Sequence, residues 1–402
     1  MKRTLIWIGA LVVGAVLGLL GIAWLDDAMN FVATVYTKLF QLLAVPTIVL
    51  AVITTFATFG SKDSGRIFGH TLIYTLLTTF AAAVVGAVLY VVVVPGNLPV
   101  EALSKVGGSA VANSSLFTLH SSFSYYDHIL SIIPNNIVKP FLEGNVLSLL
   151  ILAFAIGIGL SKLPESENKA VVVKGLLGLQ DLLFLLIRGL IWTLPLGIVA
   201  FSAQLSAQVN AGIVADSIGK YVLVVLGGNV IQFFVVLPLF LLARGLNPIH
   251  VLGRMMPAVL MALFTKSSAA TLPVTMESAE QRLGVRKDIA RFVLPICTTI
   301  NMNGCAAFIL VTSLFVMQNG GTPLTFGTIL LWILISVVSA IGNAGVPMGC
   351  FFLTLSLMSG IGAPIAILGI ILPIYTIIDM VETAENVWSD SCVCAMTDHD
   401  LG

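Results

Sequence analysis

Charge is what this sequence has least of. Of 402 residues only 9% are Asp, Glu, Lys or Arg while 58% are hydrophobic, against about 25% charged in a soluble domain. So few charges cannot cover a water-facing surface, which argues against a soluble enzyme. The 19 basic and 19 acidic residues cancel to a net charge of +0. No basic face exists to hold nucleic acid, and the polar excess of a disordered chain is missing. Cysteine is scarce too. Cys297, Cys305, Cys350, Cys392 and Cys394 lie in or beside apolar segments with no CxxC spacing, which predicts buried structural thiols, no disulfide framework and no zinc. What is plentiful is uncharged length, the composition of a polytopic membrane protein.

Six uncharged runs have the length scale of bilayer crossings: Thr4–Leu25, Leu39–Ser61, Thr71–Val100, Val146–Ser161, Gly189–Ala215 and Tyr221–Ala243, since a ~30 Å hydrocarbon core takes about 20 helical residues. The first is too long for a signal-peptide core and has no small-x-small site after it, so it reads as a retained helix. Phe292–Ile378 holds 87 residues without Lys, Arg, Asp, Glu or His. It must cross or re-enter the bilayer several times, with Gly and Pro supplying the turns. Thirteen basic residues fall on one side: Lys2, Arg3, Lys62, Arg66, Lys162, Lys169, Lys174, Arg244, Arg254, Arg282, Arg286, Lys287 and Arg291. The other side has Lys38, Lys105, Lys139 and Lys220. The positive-inside rule then places both termini in the cytoplasm. The polar stretch 104–128 reads as an extracellular connection.

Two segments have the texture of re-entrant hairpins. In "RMMPAVLMALFTKSSAATLPVTMESAEQR" two mostly apolar arms of about ten residues flank Lys266, Ser267 and Ser268, half a bilayer each. In "SVVSAIGNAGVPMGCFFLTLSLMSG", Gly342, Gly345, Pro347 and Gly349 break an apolar helix whose flanks carry no charge. The sidedness puts one hairpin on each face, the pattern of an alternating-access transporter; the alternative is two helices kinked by Gly and Pro. After the first comes "CTTINMNGCA", with Thr298, Thr299, Asn301 and Asn303 in mid-run. Such polarity cannot face lipid cheaply. A break at Asn301–Gly304 would turn carbonyls into ligands for a hard cation such as Na+. In "YTIIDMVETAENVWSDSC", Asp379, Thr383, Asn386 and Asp390 fall on one helical stripe with Glu382 beside it. Glu385 lies off that stripe and is expected at the interface. Intramembrane acids are functional candidates by default.

A channel would need a continuous polar lining, whereas polarity here is confined to the two hairpins and two helices. An intramembrane aspartyl hydrolase would need paired acids. Asp379 and Asp390 are 11 residues apart, about 16 Å along a helix, too far to share a proton.

The ordered strings "TKSSAATLPVTM", "TTINMNG", "AIGNAGVPMG" and "DMVETAENVWSD" resemble the dicarboxylate/amino acid:cation symporter family, the glutamate-transporter fold. The resemblance implies an all-α polytopic membrane protein of eight transmembrane helices and two re-entrant hairpins, assembled as a homotrimer in the plasma membrane. Its domain plan would be residues 1–70 as scaffold helices 1–2 and 71–95 as transport-domain helix 3. Residues 96–243 would hold an extracellular loop, scaffold helices 4–5 and transport helix 6, and 248–402 the core transport domain. It also implies roles. Asp379 would take the substrate ammonium. Asn386 and the Ser268 backbone would hold its carboxylate, Thr383 would touch it, and Gly345–Val346 would close over it. One Na+ site would use Asp390 with carbonyls near Cys297, Asn301 and Asn386. A second would use Thr299 with Ala340, Ile341 and Asn343, and a third Thr78, Thr79, Asn301 and Asn303. No cofactor beyond the coupling ion is implied.

The departures bear on specificity. Acidic-substrate members carry Arg three residues after the amine-binding Asp; this chain has Glu382 there, and Cys305 where those members often have Thr. The "ETA", Asn, Asp pattern is similar to the serine/threonine sodium symporter branch. The expected substrate is a small neutral amino acid such as serine, threonine or alanine, with a serine or threonine hydroxyl able to donate to Glu382. The alternatives are an acidic amino acid or dicarboxylate with Lys266 as anion partner, or a cationic amino acid paired with Glu382. Asn303, where many members have Asp, weakens the third cation site. Two buried like charges, Asp379 and Glu382, leave proton coupling open beside Na+.

Overall fold

The computed structural model describes residues 2–57, 65–96, 98, 133–143, 146–209, 214–341, 343 and 348–402, all helix, turn or connection with no strand. The polar connection 104–128 and residues Gly342, Gly345, Val346 and Pro347 lie outside the described residues.

The chain begins with α1 (Lys2–Leu19), α2 (Ala23–Ala57) and α3 (Gly65–Val93). After the short α4 (Lys139–Glu143) come α5 (Val146–Lys162) and α6 (Glu167–Val209). Then α7 (Val214–Ile231) runs through a π-helical stretch, Gln232–Val236, into α8 (Leu237–Ala243). Hairpin 1 is α9 (Pro248–Thr265) and α10 (Ser268–Glu277), followed by α11 (Lys287–Ile300) and α12 (Asn303–Asn319). Hairpin 2 is α13 (Phe326–Ile341) and α14 (Gly349–Gly360), and α15 (Ala366–Leu401) closes the described chain. Taking α7–α8 and α11–α12 as continuous passages, this is the predicted plan of eight long passages and two hairpins. Arg66–Val93, Asp216–Ala243 and Lys287–Asn319 are each long and apolar enough to cross a membrane. Several helices, α2, α3, α6 and α7 among them, begin before their uncharged runs. At 1.5 Å per residue the 43 residues of α6 span about 65 Å, twice the hydrocarbon core, so α6 must tilt or project. The first arm of hairpin 1 is also longer than expected, 18 residues rather than about ten, because its helix begins at Asn247–Pro248. The Asn247 side chain caps it by accepting from the Ile249 and His250 N–H groups, and Pro248 occupies the first turn, where its missing N–H costs nothing.

The helices pack in two groups. α1 and α2 lie along α6, and α2 also packs on α5. The α1–α6 contact is backbone-close: a Cβ on Gly14 would stand 2.3 Å from Val199 O, and one on Gly18 2.0 Å from Ala203 O. Lipid supplies no hydrophobic force between helices, so small residues that let backbones approach do the work through dispersion. In the second group, α12 is buried at every position from Asn303 to Met317, which suits its apolar circumference. It packs on α3, α7, α13, α14 and α15, while α9 and α11 also pack on α15. The groups meet where α15 touches α6 and α14 touches α2.

The π-helical stretch has a local cause in packing. Trp388 of α15 donates its indole N–H to Phe233 O at 3.1 Å, a carbonyl inside the widened turn. At one end of the molecule Asp400 meets Tyr74, His70 (3.5 Å) and Arg244 (3.8 Å), and Arg286 meets Asp398 at 2.7 Å. Burial opposes ionisation of Asp400, yet the hydrogen bond from Tyr74 and the charge of Arg244 hold its carboxyl below the ordinary range. The chain's end therefore shares a face with basic groups assigned to one side by sequence.

Candidate functional site

On α15, Asp379, Glu382, Thr383 and Asn386 recur at three- and four-residue spacing and present one face. That face meets Lys266 and Ser268 of hairpin 1, Met302 and Cys305 at the head of α12, and Asn343 and Cys350 of hairpin 2. Together they enclose about 10 Å³, the volume of roughly one water.

Each hairpin tip arrives through a left-handed residue other than glycine. Lys266 ends α9 at φ 55° and Met348 precedes α14 at φ 64°. Such backbones cost about 1–3 kcal/mol each and persist where the surroundings over-determine them. After Lys266, Ser267 turns extended and its Oγ accepts from Ala270 N–H at 3.2 Å, which starts α10. Met348 donates its N–H to Asp379 Oδ2 at 3.3 Å.

Asp379 Oδ1 accepts from the Tyr375 hydroxyl at 3.5 Å, and Glu382 Oε2 from the same hydroxyl at 3.2 Å. Lys266 lines the same cavity as Asp379. Glu382 is 1% exposed, and its Oε1 has no partner. Thr383 donates to Asp379 O at 2.7 Å. Asn386 Oδ1 accepts the Gly304 N–H at 2.9 Å and so caps α12, leaving its amide nitrogen toward Cys305. Asn343 Nδ2 points at the sulfurs of Cys305 (2.8 Å) and Cys350 (3.3 Å).

Two expectations need correction. Cys305 and Cys350 form a disulfide with Cα atoms 5.3 Å apart, where free thiols were expected. Sequence separation hid the pairing: the heads of α12 and α14 reach the same cavity wall although 45 residues separate the cysteines. A Glu382 oxygen lies within 4.8 Å of both sulfurs, but a disulfide offers no thiolate to a metal. Glu385, expected at the interface, is 1% exposed. It leaves the cavity stripe yet faces α7 and α12, because α15 is enclosed on that side as well.

A second polar cluster lies where α11 breaks. The helix ends at Ile300 and α12 starts at Asn303, with the break inside the predicted Asn301–Gly304. Asn301 Nδ2 donates to Asp390 Oδ1 and to Ser389 Oγ, both at 2.9 Å, while Asp390 Oδ2 is buried without a partner. Asn301 N–H bonds Cys297 O at 2.9 Å. Thr78 donates to Asn301 Oδ1 at 3.2 Å, and Thr79 to Asn303 Oδ1 at 2.9 Å. This set of oxygens is the donor type a hard cation takes, and the sequence-predicted members of the first and third ion sites largely converge on it. The second set is less gathered. Thr299 turns its hydroxyl to Ile296 O at 2.8 Å, Ala340 O accepts from Asn343 N–H at 3.1 Å, and Ile341 ends α13. Val346 lies outside the described residues.

Sequence reading missed Ser389, which bridges Asn301 and Asn303 (2.8 Å from Asn303 Nδ2), and Tyr375. Both sit at helical spacing from named residues, Ser389 three after Asn386 and Tyr375 four before Asp379. That interval was the available signal.

Known proteins show what the chain is similar to. The chain is 29% identical to neutral amino acid transporter B(0) of Bos taurus over 427 residues, covering 96% of this chain and 78% of that one. It is 28% identical to the Homo sapiens protein of the same name over 397 residues (91% and 72%). It is 27% identical to excitatory amino acid transporter 2 of Mus musculus over 416 residues (90% and 71%). The signature of the sodium:dicarboxylate symporter family matches residues 4–400. The chain therefore belongs to the sodium:dicarboxylate symporter family and is a membrane transporter, not an enzyme.

Proposed function

We propose that this symporter couples inward Na+ flow to uptake of a small neutral amino acid such as serine, threonine or alanine. The observation that carries the substrate class is Glu382, a buried carboxylate with one oxygen unpartnered, in the same cavity as Asp379. An acidic substrate would bring a further carboxylate to a wall that already holds two, Asp379 and Glu382, against the Lys266 cation among the lining residues. A neutral zwitterion fits better. Its ammonium goes to Asp379, its carboxylate to the N-terminal turn of α10 at Ser268 and to Asn386 Nδ2, and the hydroxyl of serine or threonine donates to Glu382 Oε1. Thr383 and Cys305 would flank it. The roughly 10 Å³ now enclosed must widen to admit it, and the hairpins are the walls able to part. Relatives named as neutral amino acid transporters favour the same reading.

Na+ would sit against Asp390 Oδ2 with the Cys297, Asn301 and Asn386 carbonyls, and a second ion among Thr78, Thr79, Asn301 and Asn303. The Thr299, Ala340, Ile341 and Asn343 set would need α11 and α13 to shift. Charge cancels locally when ion and zwitterion bind together, so each raises the affinity of the other. In alternating access, α3 and α7–α15 would move against α1, α2, α5 and α6. The latter would form the scaffold of a homotrimer in the plasma membrane, with both termini cytoplasmic.

The lysine supports a second reading, uptake of an acidic amino acid or dicarboxylate with Lys266 as anion partner. Liposome uptake by Glu382→Arg separates the two. Loss of serine uptake with a gain for aspartate supports the neutral reading, and unchanged selectivity defeats it.

A further inference from the structure

Two adjoining hollows at the base of hairpin 1 take no part in the mechanism above. The first is an apolar groove of about 580 Å³ between α8, α9 and Trp388 of α15. Phe234, Pro238, Leu242, Leu246, Ile249 and Leu252 line it, and none of its lining side chains is charged. Its rim is open, with Phe234 65%, Leu242 58% and Ile249 83% exposed. The second is a cleft of about 400 Å³ walled by Ile249, His250, Gly253, Arg254 and Arg282. Ile249 belongs to both, so the groove opens onto the cleft.

The cleft gathers charge of one sign. His250 and Arg254 stand one turn apart on α9, and Arg282 comes from the π-helical stretch Ser278–Leu283 that follows α10. Each foot of hairpin 1 thus contributes a cation. Nearby, Arg244, Arg286 and Arg291 each meet an acid. Arg254 and Arg282 are exposed and meet none among the described residues, and no Asp or Glu lines their cleft. Two cations facing one space repel each other unless an anion lies between them. A guanidinium fork matches phosphate oxygens, and an apolar trough beside it matches a hydrocarbon chain.

We propose that groove and cleft together bind one anionic phospholipid. Its phosphate lies between Arg254 and Arg282 with His250 alongside, and an acyl chain passes Ile249 into the groove toward Phe234. Any basic face draws an anionic leaflet; here the cations stand at the mouth of a trough, which gives the headgroup one fixed place. The seated lipid bridges the two feet of hairpin 1 and ties them to α8. The site needs only a membrane around the chain and is independent of what is transported.

Photolabelling tests it. The full chain in phosphatidylcholine nanodiscs receives a trace of phosphatidylglycerol or of phosphatidylcholine, each with a diazirine on one acyl chain, and adducts are mapped by peptide mass spectrometry. Phosphatidylglycerol should label residues 233–252 at least about fivefold more than phosphatidylcholine, the scale of attraction expected from surface cations. Arg254→Gln combined with Arg282→Gln should erase that preference while phosphatidylcholine labelling stays as in the native chain, which reports the groove intact. Gly253→Leu keeps both cations but puts a side chain into the cleft, where a Cβ meets nothing within 4 Å, and should weaken the preference too. Equal labelling of the native chain by the two lipids overturns the proposal, because the groove then takes any bilayer lipid. A preference that survives either variant marks diffuse attraction to a basic surface and overturns it as well. So does loss of both labels together in the arginine variant, since the cations then do not select the headgroup. Displacement of the label by glycerol phosphate would mark a site for soluble phosphate. A groove labelled by neither lipid would be one covered by a second copy or another segment of the chain. Either result defeats the lipid site.

Discussion

Gly304 shows how little space single residues have here. Its absent side chain is the only room between Glu385, Asn229 and the Glu382 backbone, the last 3.0 Å from a Cβ. Gly304→Ala should therefore destabilise by about 1–3 kcal/mol, the cost of overpacking, read as a lower midpoint in thermal unfolding in detergent. Asp390 makes the complementary case. One of its oxygens is satisfied by Asn301 and the other waits. Asp390→Asn removes the anion at near-constant shape, and the Na+ concentration for half-maximal uptake should rise at least about tenfold, or 1.4 kcal/mol. At this scale much could be read from sequence. Asp379, Glu382, Thr383 and Asn386 are intramembrane polar groups at helical intervals, and such groups are expensive unless gathered. Cys305–Cys350 and Glu385 could not be read, because each depends on which neighbour closes the remaining side of a helix.

Helices and hairpins behave as units whose ends matter most. The tip of hairpin 1 was legible, since a polar Lys-Ser-Ser between apolar arms has nowhere else to go. The lengths of α6 and α9 were not, because helices continue past the uncharged run wherever a cap or another helix supports them. The end of α15 yields a pH prediction. Asp400 is held below its ordinary range by Tyr74 and Arg244. A depressed carboxyl contributes stability above its unfolded value and forfeits it as pH falls through the folded one. Acidification through and below the ordinary carboxylate range should thus loosen α15 from α3 and α8, seen as faster amide exchange over 394–401. Asp400→Asn should show that faster exchange already at neutral pH, with no further acid response from this tie.

At the scale of the molecule, the alternating-access proposal has the two helix groups slide where α14 meets α2 and α15 meets α6. Which helix touches which was not legible, since the uncharged runs carry no information on contacts. The disulfide bears on any motion of hairpin 2, for it sews the head of α14 to α12. Uptake should rise when a reductant frees the pair, and Cys350→Ser should be fast and indifferent to reductant. Equal rates for oxidised and reduced protein would show that α14 need not leave α12.

Thr78 and Thr79 reach the broken helix from α3. Their aim is a matter of phase. One residue inserted between Arg66 and Thr78 would turn the hydroxyls by about 100°, leaving a protein whose amino acid pocket is intact while its ion pocket looks into the wrong neighbour. Such a frame-shifted helix would uncouple the gradient from the cargo without touching either ligand.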